Sequence, residues 1–267
     1  MKAGYYQFRP VFGEVDLNVK KIITALADVT ADLIVLPELA LTGYLFADRS
    51  EVEALAEEIH NSVTVSRLVD LCRRRKFYLV TGFAEKSNDK CYNSAILIGP
   101  KGVIHTYRKL HLFYHEKNLF DPGDFELSVQ TIGSVRIGMM ICFDWIFPEA
   151  ARILSLQGAD LICHPSNLVL GYCQQTMISR CLENHIFAIT ANRFGKDHRP
   201  HDELRFTGRS QVVGPKGELI HRGPAQREEL YICDLDIRTA RQKKITPLND
   251  VISDRRPEFY SRLSKSR

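Results

Sequence analysis

The chain has 267 residues, of which 45% are hydrophobic and 25% charged, enough to bury a large core. Its 36 basic and 32 acidic residues are interspersed and leave a formal net charge of +4, a balance that does not indicate a nucleic-acid partner. No apolar run approaches the roughly 18 residues of a membrane span, and the N-terminus lacks the apolar segment of a secretion signal, so we expect no membrane association and a cytoplasmic location.

Short apolar runs alternate with longer amphipathic segments, and this alternation predicts an α/β architecture. The predicted strands are Lys2 to Gln7, Leu33 to Leu36, Tyr78 to Phe83, Tyr92 to Ile98, Val103 to Tyr107, Gly133 to Ile141, Leu161 to His164, Phe187 to Ala191, Ser210 to Val213 and Leu230 to Asp234. The predicted helices are Leu17 to Asp28, Val52 to His60, Val63 to Arg75, Pro148 to Gln157 and Gln175 to His185. This many strands indicates more than one sheet layer.

Four further segments refine this organisation. SAILIGPKGVIHTY and SQVVGPKGELIHR both place Gly-Pro-Lys-Gly between apolar runs, which predicts a β-hairpin in each. The basic run CRRRK at 72–76 is interpreted as a solvated helix end rather than a polyanion site. The polar, proline-interrupted end of the chain, from about residue 240, is predicted to be an arm. Without a linker or a repeat, we expect one domain over residues 1–267.

The cysteines indicate neither a disulfide framework nor a zinc site. There are 7, an odd number at irregular spacing, and no CxxC or zinc-finger arrangement occurs. Without further context, each thiol is best interpreted as a small buried apolar side chain. The cysteines therefore give no reason to expect a bound zinc ion.

Chemically active side chains follow three of the predicted strands. Glu38 comes after Pro37 at the end of one apolar run, Arg108 and Lys109 end a second, and Cys142 ends a third. In α/β proteins functional groups gather at the carboxyl ends of strands. A carboxylate, an ammonium and a thiol are thus expected to converge in one pocket.

Such a set would solve a problem posed by Cys142, which has no histidine beside it in sequence to act as a base. Glu38 in a poorly solvated site would have its pKa raised enough to act as general base. Lys109 would stabilise negative charge on sulfur and then on an oxyanion. Each residue alone has an ordinary alternative, namely a buried thiol, a helix cap or a solvated strand end; only the combination favours catalysis.

These motifs resemble those of the nitrilase superfamily, the carbon–nitrogen hydrolases, over almost the whole chain. LIVLPELALTGY is similar to the glutamate motif, YRKLHLF to the lysine motif and GMMICFDWIFPEAAR to the cysteine motif. The opening AGYYQFRPVFGEVDLNVKKI and the closing DRRPEFY also match family patterns. The resemblance implies an α/β fold, specifically a four-layer αββα sandwich with two central mixed β-sheets, assembled into homodimers or larger homo-oligomers.

The resemblance also implies roles for individual residues. Glu38 becomes the general base, Lys109 the oxyanion stabiliser and Cys142 the nucleophile, and the backbone N–H of Phe143 becomes a second oxyanion donor. Glu116, in EKNLFDPGD, matches the second glutamate of the family and would position the lysine and the attacking water. The reaction implied is thiolate attack on an amide or nitrile, loss of ammonia or an amine, and hydrolysis of the resulting thioester. That reaction needs no metal and no organic cofactor, so we expect none.

The substrate is less well defined by the sequence. Cys-Phe-Asp followed by FPE favours an amidase over a nitrilase, and the absence of arginines just after the nucleophile disfavours a carbamoyl-amino-acid hydrolase. An inactive scaffold protein is the non-enzymatic alternative. Tyr44, Trp145 and Asn167 are candidate substrate contacts, although packing or turn roles explain them equally well. The expected partner is a small amide or nitrile.

Overall fold

The computed structural model describes residues 1–265. Its strands are β1 (Lys2–Gln7), β2 (Leu33–Val35), β3 (Tyr78–Ser87), β4 (Lys90–Gly99), β5 (Gly102–Arg108), β6 (Val129–Ile132), β7 (Val135–Met139), β8 (Leu161–Ser166), β9 (Phe187–Asn192), β10 (Phe194–Arg199), β11 (Asp202–Thr207), β12 (Gln211–Val213), β13 (Leu219–Arg222), β14 (Glu229–Asp234), β15 (Lys244–Thr246) and β16 (Asn249–Asp250). Its α-helices are α1 (Val15–Leu26), α2 (Arg49–Leu55), α3 (Val63–Arg75), α4 (Glu116–Leu119), α5 (Pro148–Leu156) and α6 (Cys173–Asn184). Short 3-10 helices lie at Ile59–Asn61, Cys142–Ile146, Ile237–Arg241, Pro257–Phe259 and Ser261–Ser264.

The strands form two six-stranded mixed sheets that share one topology. The first has the order β14-β1-β2-β3-β4-β5 and the second the order β6-β7-β8-β9-β12-β13. When each sheet is read in the order given, its neighbouring strands pair antiparallel, parallel, parallel, antiparallel and antiparallel. The two Gly-Pro-Lys-Gly turns join β4 to β5 and β12 to β13, so both predicted hairpins are confirmed and occupy equivalent places in the two sheets.

The core lies between the sheets and beneath the helices. Because alternate residues of a strand point to opposite faces, Ala3 and Tyr5 of β1 join the core shared with the second sheet, whereas Tyr6 packs under α1 and α3. Helices α5 and α6 cover the other sheet, where Leu154 closes over Gly138. The molecule is thus an αββα sandwich, as the resemblance implied.

The predicted strand at 133–141 is shorter in the structure. Gly133 lies in the turn between β6 and β7 with a φ of +59°, and β7 ends at Met139. The cause at the far end is Asp144, whose carboxylate accepts the backbone N–H of Ile141 at 2.8 Å in place of a neighbouring strand. The residues before Cys142 therefore leave the ladder early.

The ribbon formed by β10 and β11 was not predicted from the sequence. Its strands are largely charged, so their hydrophobic alternation is weak, yet they pair over six positions from Phe194↔Thr207 to Arg199↔Asp202. Arg193, which is fully buried, anchors the base of the ribbon. It donates two hydrogen bonds to Asp197, at 2.6 and 2.7 Å, and stacks on Phe206.

The basic run at 72–76 ends a helix, as predicted. Of the predicted arm, from about residue 240 to residue 267, residues 266 and 267 lie outside the described part of the chain. Helix α3 ends with exposed Arg73 and Arg74, followed by Lys76 in the left-handed region. Beyond residue 240 the described chain forms only the short ribbon of β15 and β16 and two 3-10 turns. Within residues 1–265, none of the helices combines the length and apolar character needed to cross a bilayer.

Candidate active site

Glu38 lies just beyond β2, in a backbone segment held tightly by its neighbours. Its carbonyl accepts a hydrogen bond from Nδ2 of Asn167 at 2.8 Å, and a Cβ at Gly82 would lie 2.4 Å from the Cα of Glu38, so only glycine fits there. The carboxylate is fully buried. Its Oε1 accepts Nδ2 of Asn93 at 2.7 Å and Nζ of Lys109 at 2.6 Å, whereas Oε2 has no partner among residues 1–265.

Lys109 follows β5 and is fixed through its backbone as well as its side chain. Its N–H donates to the carbonyl of Asn93 and its carbonyl accepts the N–H of Gly123, both at 2.9 Å. A Cβ at Gly123 would lie 2.2 Å from the carbonyl oxygen of Arg108, which explains the glycine of the FDPG motif. The buried ammonium lies between Glu38 and Glu116, 2.8 Å from Oε2 of the latter.

Glu116 begins α4 and accepts hydrogen bonds on both carboxylate oxygens. In addition to Lys109, its partners are the hydroxyl of Tyr44 at 2.6 Å and the backbone N–H of Phe113 at 3.0 Å. Both oxygens of this buried carboxylate therefore have hydrogen-bond donors. Tyr44 thus contacts Glu116 at the edge of the site.

Cys142 occupies a sharp turn between β7 and the 3-10 helix that it begins. Its φ of +39° is in the left-handed region, which is strained for a residue with a Cβ, and strain of this kind recurs at active sites. Asp144 braces the turn by accepting the Ile141 N–H and the Tyr107 hydroxyl, both at 2.8 Å. On the other side, Nε2 of buried His164 donates to the carbonyl of Cys142 at 2.9 Å.

Burial and the charges of the site shift the pKa values of its ionisable groups. Burial, reinforced by the charge of Glu38, raises the pKa of the Cys142 thiol well above its usual range, although Lys109 and the backbone N–H of Asn167 act in the opposite direction. Burial likewise raises the pKa of Glu38 against the opposing pull of Lys109. The thiol is therefore neutral at rest, and the carboxylate next to it has an increased affinity for protons.

The pKa of Lys109 is set by two opposing effects. Burial alone would lower it, but the carboxylates of Glu116 and Glu38 outweigh burial and raise it. The amine is therefore a permanent cation at neutral pH. It supplies a fixed positive charge in a place from which water is excluded.

Two cavities adjoin these groups. The Cys142 crevice, of about 10 Å³, is bordered by Cys142, Phe113, Phe143, Trp145, Asn167 and residues 168–170. The lateral pocket, of about 270 Å³, lies between segments 44–47, 113–119 and 201–204 and includes Tyr44 and Glu116. Of the three predicted substrate contacts, Trp145 and Asn167 therefore border the crevice, while Tyr44 borders the lateral pocket.

Sequence reasoning missed the residues that hold this site in place. Asn93 and His164 interrupt the apolar runs YNSAILI and LICHPS, and a polar residue inside a buried strand was the available signal. His164 lies 22 positions from Cys142, so the contact between them cannot be inferred from sequence spacing. The Cys-Phe-Asp pattern gives no sign that Asp144 is fully buried and organises the turn at Cys142.

The arrangement contains the groups needed for nucleophilic acyl chemistry. A strained turn carries a thiol, a buried carboxylate with one unpaired oxygen lies nearby, and a buried ammonium lies between two carboxylates. Such a site can deprotonate a thiol, stabilise an oxyanion and protonate a leaving nitrogen. It brings together Glu38, Lys109, Glu116 and Cys142, which are far apart in sequence.

Comparisons with known proteins agree with this chemistry. The family model described as carbon-nitrogen hydrolase matches residues 2–245. A nitrilase from Pyrococcus abyssi is 43% identical over 98% of this chain and 100% of its own length, and an (R)-stereoselective amidase from a Pseudomonas species is 32% identical over 89% and 85%. A variant of the Nesterenkonia sp. AN1 amidase, solved with acrylamide added at its active-site cysteine, is 25% identical, with a TM-score of 0.81 over 98% of this chain and 99% of that chain. The chain therefore belongs to the carbon-nitrogen hydrolase family.

Proposed function

We propose that this enzyme hydrolyses small amides to carboxylic acids and ammonia through a thioester on Cys142. The observation that carries the proposal is the position of Glu38. Its Oε1 is held by Lys109 and Asn93, and its Oε2, buried and without a partner among the described residues, is the oxygen left to accept a proton. Glu38 is the general base in this scheme.

The reaction proceeds in two halves. Glu38 takes the thiol proton as the sulfur of Cys142 attacks the amide carbon, and it then passes that proton to the departing nitrogen, so that ammonia leaves and a thioester remains. Water, deprotonated by Glu38 and positioned with the help of Glu116, next attacks the thioester. The carboxylic acid leaves and the thiol is restored.

The oxyanion formed in each half needs donors. Lys109 supplies one permanent positive charge, and the backbone N–H of Phe143 follows the nucleophile directly in the strained turn. Donors fixed in a site without water stabilise a developing oxyanion strongly because they need no reorganisation. We assign the oxyanion site to these two groups, with Trp145 and Asn167 as substrate contacts.

Amides are preferred over nitriles because the site is rich in unpaired acceptors. Oε2 of Glu38, Oδ1 of Asn93 and Oδ1 of Asn167 are buried without partners among residues 1–265. An amide NH₂ group or a departing ammonia offers N–H donors, whereas a nitrile nitrogen offers none. Nitrile hydrolysis is the second candidate, favoured by the 43% identity to the Pyrococcus abyssi nitrilase.

The test is ammonia and acid release from butyramide and butyronitrile. We expect butyramide to be turned over, hydroxylamine to intercept the acyl-enzyme as a hydroxamate, and Cys142→Ala and Cys142→Ser to abolish both reactions while folding normally. Cys233→Ser, at a half-buried thiol on β14, is the matched control and is expected to retain activity. Undiminished activity in Cys142→Ala would refute the proposal, and exclusive turnover of butyronitrile would replace it with the second candidate.

The assembly and location are part of the same proposal. We propose a single domain over residues 1–267 with an arm from about residue 240, and a homodimer or larger homo-oligomer. Exposed apolar side chains on the arm and around α5 support self-association, among them Leu248 (90% exposed), Ile245 and Ile153. We propose a cytoplasmic location because 7 cysteines are present and all are free thiols, as expected in a reducing compartment.

A further inference from the structure

The lateral pocket adjoins the catalytic groups but is chemically unlike them. Its wall carries the buried Glu116, which contacts Lys109, whereas most of its other surface is apolar, with Leu45, Phe46 and Leu119 among its lining residues. Pockets that bind small molecules are typically of this kind, mainly apolar with a few polar groups at one end. The pocket is therefore suited to an apolar group attached to a polar reacting centre.

The Cys142 crevice cannot hold a whole substrate. Its volume of about 10 Å³ matches roughly one water molecule. Among residues 1–265, Phe113 alone borders both this crevice and the lateral pocket. Its ring is half-buried and packs against Phe143, with 5.1 Å between ring centroids.

We propose that the lateral pocket is the acyl-group subsite, that Phe113 is the specificity-determining residue between it and Cys142, and that the substrates are neutral amides with an apolar acyl chain longer than acetyl. This inference rests on the proposed amide hydrolysis and identifies the substrate class for it. The carbonyl carbon lies at Cys142, and the chain passes Phe113 into the lateral pocket. Each methylene group placed there is transferred from water to an apolar wall, which favours binding.

Charge complementarity excludes acidic acyl groups. Neither cavity is bordered by Arg or Lys within the part of the chain that the structure describes, and the lateral pocket carries the carboxylates of Glu116 and Asp202 together with the imidazoles of His115 and His201. A second carboxylate on the substrate would be buried next to two like charges, with no permanent cation in the lining to offset them, which is costly. Amides of dicarboxylic acids should therefore be poor substrates.

The first experiment measures kcat/KM for acetamide, butyramide, hexanamide and succinamate. We expect a rise of about fourfold per methylene from acetamide to hexanamide, and for succinamate a value at least tenfold below that of butyramide. A flat or falling dependence on chain length, with turnover that still requires Cys142, would overturn this inference and leave the proposed function intact. Failure to release ammonia from any amide would overturn both.

Variants of the subsite provide the second experiment. Ala47→Trp places a large ring in the lateral pocket from an exposed position, so the hexanamide-to-acetamide ratio should fall at least tenfold. Phe113→Ala should raise the benzamide-to-acetamide ratio at least tenfold, because it widens the passage between the two cavities enough for an aromatic ring. Arg205→Ala, exposed on β11 and bordering neither cavity, is the control and should keep both ratios. An unchanged ratio in Ala47→Trp, or in folded Phe113→Ala, contradicts the proposal.

Discussion

The side-chain amide of Asn93 donates to the same oxygen of Glu38 that accepts from Lys109, at 2.7 and 2.6 Å respectively. The carbonyl of Asn93 also accepts the backbone N–H of Lys109. One residue therefore fixes both members of the pair and determines which carboxylate oxygen remains unpaired. If Glu38 is the general base, as we propose, the role of Asn93 is to position that carboxylate rather than to take part in bond making.

Asn93→Ala is expected to lower kcat for butyramide by roughly 10- to 100-fold, because a hydrogen bond to a charged group contributes about 1.5–3 kcal/mol. The lost donor normally lowers the pKa of Glu38, so the acid limb of the pH–rate profile should also move to higher pH. Asn61→Ala, at an exposed position, is the control. A loss of stability with no movement of the acid limb would mean that Asn93 serves only to hold the fold.

The pH dependence of the parent enzyme follows from Glu38. A base must be ionised to act, and burial raises the pKa of Glu38 above the ordinary value of about 4.3. Activity should therefore decline, as pH falls, at a higher pH than a solvated glutamate would give. The raised pKa of Lys109 means that this lysine causes no loss of activity up to its ordinary pKa. Measurement of kcat/KM from pH 4 to 10 tests this, and full activity at pH 4 would exclude Glu38 as the base.

His164 predicts a component of acid instability. Burial lowers its pKa to about 4 in the folded chain, whereas the unfolded chain has the ordinary value near 6.5. Between these values the unfolded state binds more protons, so stability is lost as pH falls from 6.5 to 4, by up to about 3 kcal/mol. Denaturant titrations of the parent and of His164→Gln, which keeps a donor for the Cys142 carbonyl, should differ in this pH window. If the free energy of unfolding changes equally with pH in the two proteins, His164 does not contribute to the acid instability.

Asp144→Asn should destabilise the fold and slow catalysis together. The carboxylate accepts hydrogen bonds from Ile141 and Tyr107 on Oδ2 and from His111 on Oδ1. In asparagine one of these two oxygens is replaced by an NH₂ group, which donates and cannot accept. We expect a loss of about 2–4 kcal/mol in the free energy of unfolding, measured by denaturant titration, because buried donors lose their partner. Asp89→Asn, in the exposed turn between β3 and β4, should change stability by less than about 0.5 kcal/mol. Comparable values for the two variants would contradict the bracing role of Asp144.

The main parts of the site were predictable because strand ends carry them. Glu38, Lys109 and Cys142 each follow an apolar run, and that pattern is visible in the sequence. The contacts that orient them were not predictable, because Asn93 reaches Glu38 across 55 positions and Tyr44 reaches Glu116 across 72. The lateral pocket could not be predicted either, because one of its walls comes from the ribbon of β10 and β11. The ribbon is largely charged and lacks a clear alternation of apolar and polar residues.

The neutral resting state of Cys142 has a consequence for handling the enzyme. Peroxide and alkylating reagents act on thiolates, and the raised pKa of Cys142 leaves little thiolate at neutral pH. The protein should thus survive air and mild oxidants that inactivate cysteine enzymes with a preformed ion pair. We expect the sulfur to react readily only when a substrate is bound next to it.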